Sequence, residues 1–120
     1  MAPKETHSTI RDGKRLLWYT ERLWFEARTL KSFDIELSAI PELDQDCWFR
    51  GRGPTLRDVA DHCRRINQAS LEWPIILNSD GSLMDGGHRI CKALFEGHKT
   101  IRAVRFETMP EPDEAHELGA

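Results

Sequence analysis

The sequence predicts an α+β fold, a small mixed sheet flanked by helices, on two observations. Helical apolar spacing and strand-like alternation succeed one another in the order helix, strand, helix, hairpin, helix, strand. A chain of 120 residues, 39% hydrophobic and 31% charged, fits one buried core and lacks the bias of a disordered chain. The expected organisation is a flexible segment 1–13, a single domain 14–106 and an acidic flexible tail 107–120.

The elements follow from local pattern. Leu16, Leu17, Thr20, Leu23, Trp24, Ala27 and Leu30 recur at helical spacing opposite Glu21, Arg22, Glu26 and Arg28, which predicts an N-terminal amphipathic helix over Lys14–Thr29. Phe33, Ile35 and Leu37 alternate with Asp34, Glu36 and Ser38, the period of a half-buried strand that Pro41 closes. Glu42 to Gly53 reads as a loop anchored by Trp48 and Phe49. Thr55, with Asp58 three residues on, caps the next helix, whose apolar face is Leu56, Val59, Ala60, Cys63 and Ile66. Pro74–Leu77, the turn Asn78-Ser79-Asp80-Gly81 and Ser82–Met84 form a hairpin. Ile90, Cys91, Leu94 and Phe95 mark a third helix that Gly97 stops, and Thr100–Phe106 alternates as a last strand.

Composition narrows the function classes. No stretch approaches the roughly 18 apolar residues of a spanning helix, and the N-terminus lacks a secretory core, so a cytoplasmic location is expected. Three cysteines, Cys47, Cys63 and Cys91, form no CxxC pair and are expected to be reduced and mostly buried. The net charge of −3 reflects a tail in which every charge after Arg105 is acidic. Arg50 and Arg52, Arg64 and Arg65, and Arg102 and Arg105 form no single stripe, so DNA binding by the chain alone is not expected.

The informative site is Met84-Asp85-Gly86-Gly87-His88-Arg89, where a strand passes through two glycines into a helix. Free N–H groups of a first helical turn attract anions, and glycines let a phosphate approach the backbone. Arg89 adds charge-assisted hydrogen bonds, His88 can exchange a proton near neutral pH, and Asp85 can hold Mg²⁺ or accept a hydroxyl proton. The plain alternative is that Gly86 and Gly87 only make a tight connection while Arg89 pairs with a surface carboxylate. Trp48 can stack on a base or serve as a packing anchor. His88, Cys91 and His98 give at most two metal ligands on one helix, and His62 and Cys63 point to different helix faces, so no metal site is expected. Gly97-His98-Lys99-Thr100 lacks the glycine spacing of a P-loop, and Ile76 and Gly87 stand where a calcium loop around Asn78–Gly81 would need ligands.

From Phe33 to Phe106 the chain resembles the ParB/sulfiredoxin superfamily, most closely the small ParB-like chromosome partitioning proteins of proteobacteria. The matching strings are Pro74-Ile75-Ile76-Leu77, Met84-Asp85-Gly86-Gly87-His88-Arg89, Lys92-Ala93 and Ile101-Arg102-Ala103-Val104-Arg105-Phe106. The resemblance implies a compact ParB/sulfiredoxin-like domain, here with an extra N-terminal helix. Its Gly-x-x-Arg helix start, Gly86, Gly87, His88 and Arg89, would hold the phosphates of ATP, ADP or CTP. It also implies a second phosphate-contacting arginine before the Thr55 helix, Arg50 or Arg52. Sulfiredoxins carry a reactive cysteine where this chain has Gly87, and ParB proteins a glutamate there and a following helix-turn-helix domain. The free serine kinases carry Asp-Gly-His-His-Arg, matched here at Asp85, Gly86, His88 and Arg89, and use an upstream glutamate for which Glu42, Asp44 and Asp46 are positional candidates.

The leading expectation is a nucleotide-binding protein with phosphoryl transfer or hydrolysis at Asp85 and His88. The first alternative is a non-catalytic regulatory or protein-binding module that uses the acidic tail or the Trp-bearing N-terminal helix. The second is a DNA-binding or nuclease protein related to partitioning proteins.

Overall fold

The computed structural model describes residues 5–118. Asp12 and Gly13 both adopt left-handed backbone, φ +54° and +75°, the two-residue geometry that matches hairpin twist. They join β1 (Thr6–Arg11) to β2 (Lys14–Tyr19), and the expected helix begins only at Thr20, with α1 spanning Thr20–Ala27. Leu16 and Trp18 share one side of β2 and reach the core. Residues two apart in a strand thus satisfy an apolar pattern that also fits a helix.

The acidic tail, expected to be flexible, supplies strand β7 (Glu114–Glu117) on the other edge of β2, giving the order β1-β2-β7. The N-terminal segment holds it. Arg22 lies 3.3 Å from Asp113, and the Asp113 carboxylate accepts from the Tyr19 N–H at 2.8 Å. Trp18 Nε1 donates to the Pro110 carbonyl at 2.8 Å. Residues 6–11, also expected to be flexible, are β1; what was expected of residues 1–4 and 119–120 lies outside the described residues.

The second sheet is mixed, in the order β3 (Phe33–Glu36), β6 (Thr100–Arg105), β4 (Ile75–Leu77), β5 (Leu83–Asp85), with β4 and β6 parallel and the other pairs antiparallel. Central β4 is buried along its whole length, which is why it reads as a continuous apolar run. Ile75, Leu77, Ile101 and Ala103 pack with Leu37, Ile40, Ile90 and Ala93. Ile76, Met84 and Val104 pack with Trp18, Leu23 and Ala27. Alternation along β4 therefore joins the N-terminal hairpin and α1 to one cluster, and helix α3 (Gly87–Phe95) to the other. The protein is a compact α+β fold of three helices and two small sheets.

Helix α2 (Leu56–Gln68) has the expected cap: Thr55 accepts from the Asp58 N–H, and Asp58 accepts from the Thr55 N–H. Its expected apolar face is largely in solvent, with Leu56 91% and Val59 45% exposed. The helix instead turns His62 toward α3, and Lys92 of α3 donates to the Asn67 and Ala69 carbonyls at its C-terminal end. On α3 likewise, Ile90 and Ala93 are buried while Leu94 and Phe95 are exposed. The cysteines are free thiols, with Cys47 and Cys63 exposed and only Cys91 half-buried, contrary to the expectation of burial. No helix among the described residues is long and apolar enough to cross a membrane.

Leu23 is fully buried beneath the hairpin. Leu23→Ala is expected to lower unfolding free energy by about 3 kcal/mol in urea titration, against less than about 0.5 kcal/mol for Glu21→Ala.

Candidate functional site

Strand β5 ends at Asp85 and α3 starts at Gly87, with Gly86 between them at φ +121°. A Cβ on Gly86 would stand 2.5 Å from Ile75 Cγ2, so no side chain fits where the chain crosses β4. Gly86 caps α3 with no side-chain hydrogen bond, and its carbonyl accepts from Ile90. The first-turn N–H groups of α3 are left without an intrahelical acceptor.

This junction lines a cleft of about 1090 Å³. Of the expected site residues, Asp85, Gly86, Gly87, His88, Arg89 and Arg50 line it together. Arg52 does not; its Nε donates to the Phe49 carbonyl at 3.2 Å. Of the three upstream carboxylates, Glu42 and Asp46 reach the cleft and Asp44 does not. Glu42 accepts from the Leu83 N–H at 3.1 Å through one oxygen, and its other oxygen is buried with no partner among the described residues.

Asp85 is held by two donors on one oxygen, Trp24 Nε1 at 2.6 Å and Arg89 Nη2 at 2.9 Å. The Asp85–Arg89 pair is mostly buried, 19% and 15% exposed at the side chains, and Arg89 Nε has no partner among the described residues. Arg89 therefore pairs with a carboxylate, though with the mostly buried Asp85 of the junction and not a surface one, and still lines the cleft. With one oxygen committed, Asp85 fixes the direction of Arg89.

His88 meets His62 of α2, Nε2 to Nδ1 at 2.8 Å, so one ring donates and the other accepts. Trp48 stacks on both, with centroids 4.2 Å from His62 and 4.6 Å from His88. Imidazoles on opposite faces of the indole would lie nearly twice as far apart as the observed 5.0 Å, so the pair lies edge to edge on one face. Burial, then His62 and Arg65, pushes the His88 pKa down to about 4. His7, also at the cleft, is lowered chiefly by burial. The Trp48 loop is tied by Asp46, which accepts from the N–H groups of Trp48, Phe49 and Gly51. Those bonds, Phe49 first, hold its carboxyl below the usual range.

His62, Arg65, Trp24 and His7 are the residues that sequence reasoning missed. For α2 a signal existed: Asp58, His62 and Arg65 follow helical spacing, a polar face as regular as the apolar one. Nothing local pairs Trp24 with Asp85 or brings β1 to the cleft. Among the described residues no group of three or more His, Cys, Asp or Glu is placed to hold a metal ion.

No family model, curated protein or solved structure matches this chain.

Two outcomes follow from this geometry. Gly86→Ala is expected to cost at least about 2 kcal/mol of stability by denaturant titration, from positive-φ strain and the Ile75 clash. Gly87→Ala, whose Cβ would meet only the Trp48 ring at 3.2 Å, should cost less and shift tryptophan emission. The second outcome concerns pH. The unfolded chain protonates histidine near 6.5 whereas folded His88 resists until about 4, so stability is full above 6.5 and declines as pH falls toward 4. His88→Gln should flatten that part of the urea-midpoint profile, leaving the slope in the same direction that His7 contributes.

Proposed function

We propose that the cleft binds a nucleotide through its phosphates at the start of α3, with His88 as the proton acceptor in phosphoryl transfer or hydrolysis. The observation that carries this reading is the uncapped first turn of α3, opening beside Arg89 into a cleft large enough for a nucleotide. The resemblance of residues 33–106 to the ParB/sulfiredoxin superfamily supports the same reading and suggests that fold for the four-stranded sheet and its helices.

Carboxylates slightly outnumber cations in the cleft: Arg50, Arg65 and Arg89 face Glu5, Glu42, Asp46 and Asp85. A bare polyanion gains little from such a lining, whereas phosphates carrying Mg²⁺ bring their own cation. Mg²⁺ binds through one or two carboxylates plus phosphate oxygens, and Asp85 and Glu42, each with an oxygen that accepts no hydrogen bond among the described residues, fit that need. His88 with a pKa of about 4 is deprotonated at neutral pH but a weak base. A phosphate placed beside it raises that pKa and so strengthens the base where substrate is bound.

The second reading, a non-catalytic regulatory module, is favoured by the double commitment of one Asp85 oxygen, which suits a positioning group.

Thermal unfolding with ATP, ADP, CTP and GTP, each with and without Mg²⁺, tests both. A bound nucleotide at a hundred times its Kd should stabilise the fold by about 2.7 kcal/mol. Arg89→Ala and Arg65→Ala should each weaken binding about tenfold or more. His88→Ala should retain binding while turnover falls by about two orders of magnitude. Binding without turnover in the unaltered chain selects the regulatory module, and absence of binding by all four rejects the nucleotide reading.

A further inference from the structure

A second cavity, about 580 Å³, shares Trp24 and Arg89 with the cleft and opens between α1 and the four-stranded sheet. Its floor is core surface: Ala27, Ile76 and Val104 are all buried and all line it. Its walls include two indoles left in solvent, Trp24 at 49% and Trp73 at 66% exposure. Large apolar rings held at that exposure beside an apolar floor offer stacking surface at low entropic cost.

The charged lining of this pocket is mainly cationic, with Asp34 of β3 standing across from Arg102 outside the lining. Arg28 and Arg102 line it against the single carboxylate of Glu72, with Arg89 already paired to Asp85. Arg102 Nη2 donates to the Ser32 hydroxyl at 3.0 Å, and Arg28 donates to the Phe25 carbonyl at 2.8 Å with its guanidinium over the Phe25 ring. Among the described residues neither guanidinium forms an ion pair. Both retain N–H donors in the planar fork that matches a carboxylate.

We infer that this pocket is a binding site for a small organic anion with a flat apolar body, an arylcarboxylate in chemical class. The rings and floor take the apolar body, and Arg102 with Arg28 takes the carboxylate. The volume lies in the range of small-molecule sites. The groups assigned to the carboxylate are not those of the cleft, because Arg28 and Arg102, like Trp73, do not line the cleft, although the two cavities share Trp24 and Arg89.

Naphthalene-2-carboxylate, titrated into the full chain and followed by tryptophan fluorescence, is the probe, with naphthalene-2-carboxamide as its neutral counterpart. The carboxylate should bind about tenfold more tightly than the amide, the usual scale of a charge-assisted hydrogen bond. Arg102→Gln and Arg28→Gln, both changes of side chains outside the core, should erase that preference. Trp73→Ala should weaken both probes, and Arg65→Ala at the cleft should change neither. The inference fails if the two probes bind alike, if both arginine variants keep the preference, or if Arg65→Ala abolishes binding. It fails also if the carboxylate shows no saturation below about 10 mM.

Discussion

The crossing of the β5–α3 junction over Ile75 sets the position of everything else in the cleft. Ile75 is fully buried in the central strand, and a Cβ at residue 86 would stand inside the contact distance of its side chain. The helix therefore starts directly on the sheet, and its first residues have little freedom. Asp85 and Arg89, one at the strand end and one in the first turn, come within a hydrogen bond of each other as a result. His88 is turned outward to α2, where His62 and the Trp48 ring receive it. Backbone geometry at one glycine thus fixes an ion pair, an imidazole pair and the exposure of a helix terminus.

The electrostatics of the site are those of groups satisfied by one another. Arg89 answers Asp85, Arg65 lies near Asp61 and Glu5, and the carboxylate of Asp46 is taken up by its own loop. Among the described residues, the groups left without a partner include one oxygen of Glu42, Arg89 Nε and the N–H groups of the α3 start. Buried polar atoms left without partners cost stability, and such atoms concentrate where a ligand completes them. Trp24 adds a link between the two cavities, since its indole N–H holds Asp85 while its ring lines both.

The N- and C-terminal strands give that link its support. Strand β2 pairs with β1 on one side and with the acidic β7 on the other, and α1 continues directly from β2. Trp18, Leu23 and Ala27 then pack against Ile76, Met84 and Val104 on the sheet. Of the acidic residues after Arg105, which look solvated as a sequence, Asp113 is matched to Arg22 and the Tyr19 N–H, and Glu117 to Lys14. The charge of those two residues is used within the fold.

The sequence by itself determined the elements whose local signals are unambiguous. The Thr55–Asp58 capping box, the apolar run of β4, the turn after Leu77, the alternation of β6 and the strand–glycine–helix junction at Asp85–Arg89 are all where the residues place them. It did not determine the N-terminal hairpin against a longer helix, because Leu16, Leu17 and Trp18 satisfy both periods until the Asp12-Gly13 turn is paired with a partner strand. Nor did it determine which side of α2 faces inward. An apolar stripe and a polar face of equal regularity compete there, and the His62–His88 bond together with the Lys92 bonds to its last carbonyls seats the polar one. The same holds for Trp24 and Asp85, separated by 61 positions along the chain. Periodicity reports the period of an element and the contrast between its faces. Which face is covered, and which distant side chains meet, depends on contacts between elements, and those exist only once the chain has packed.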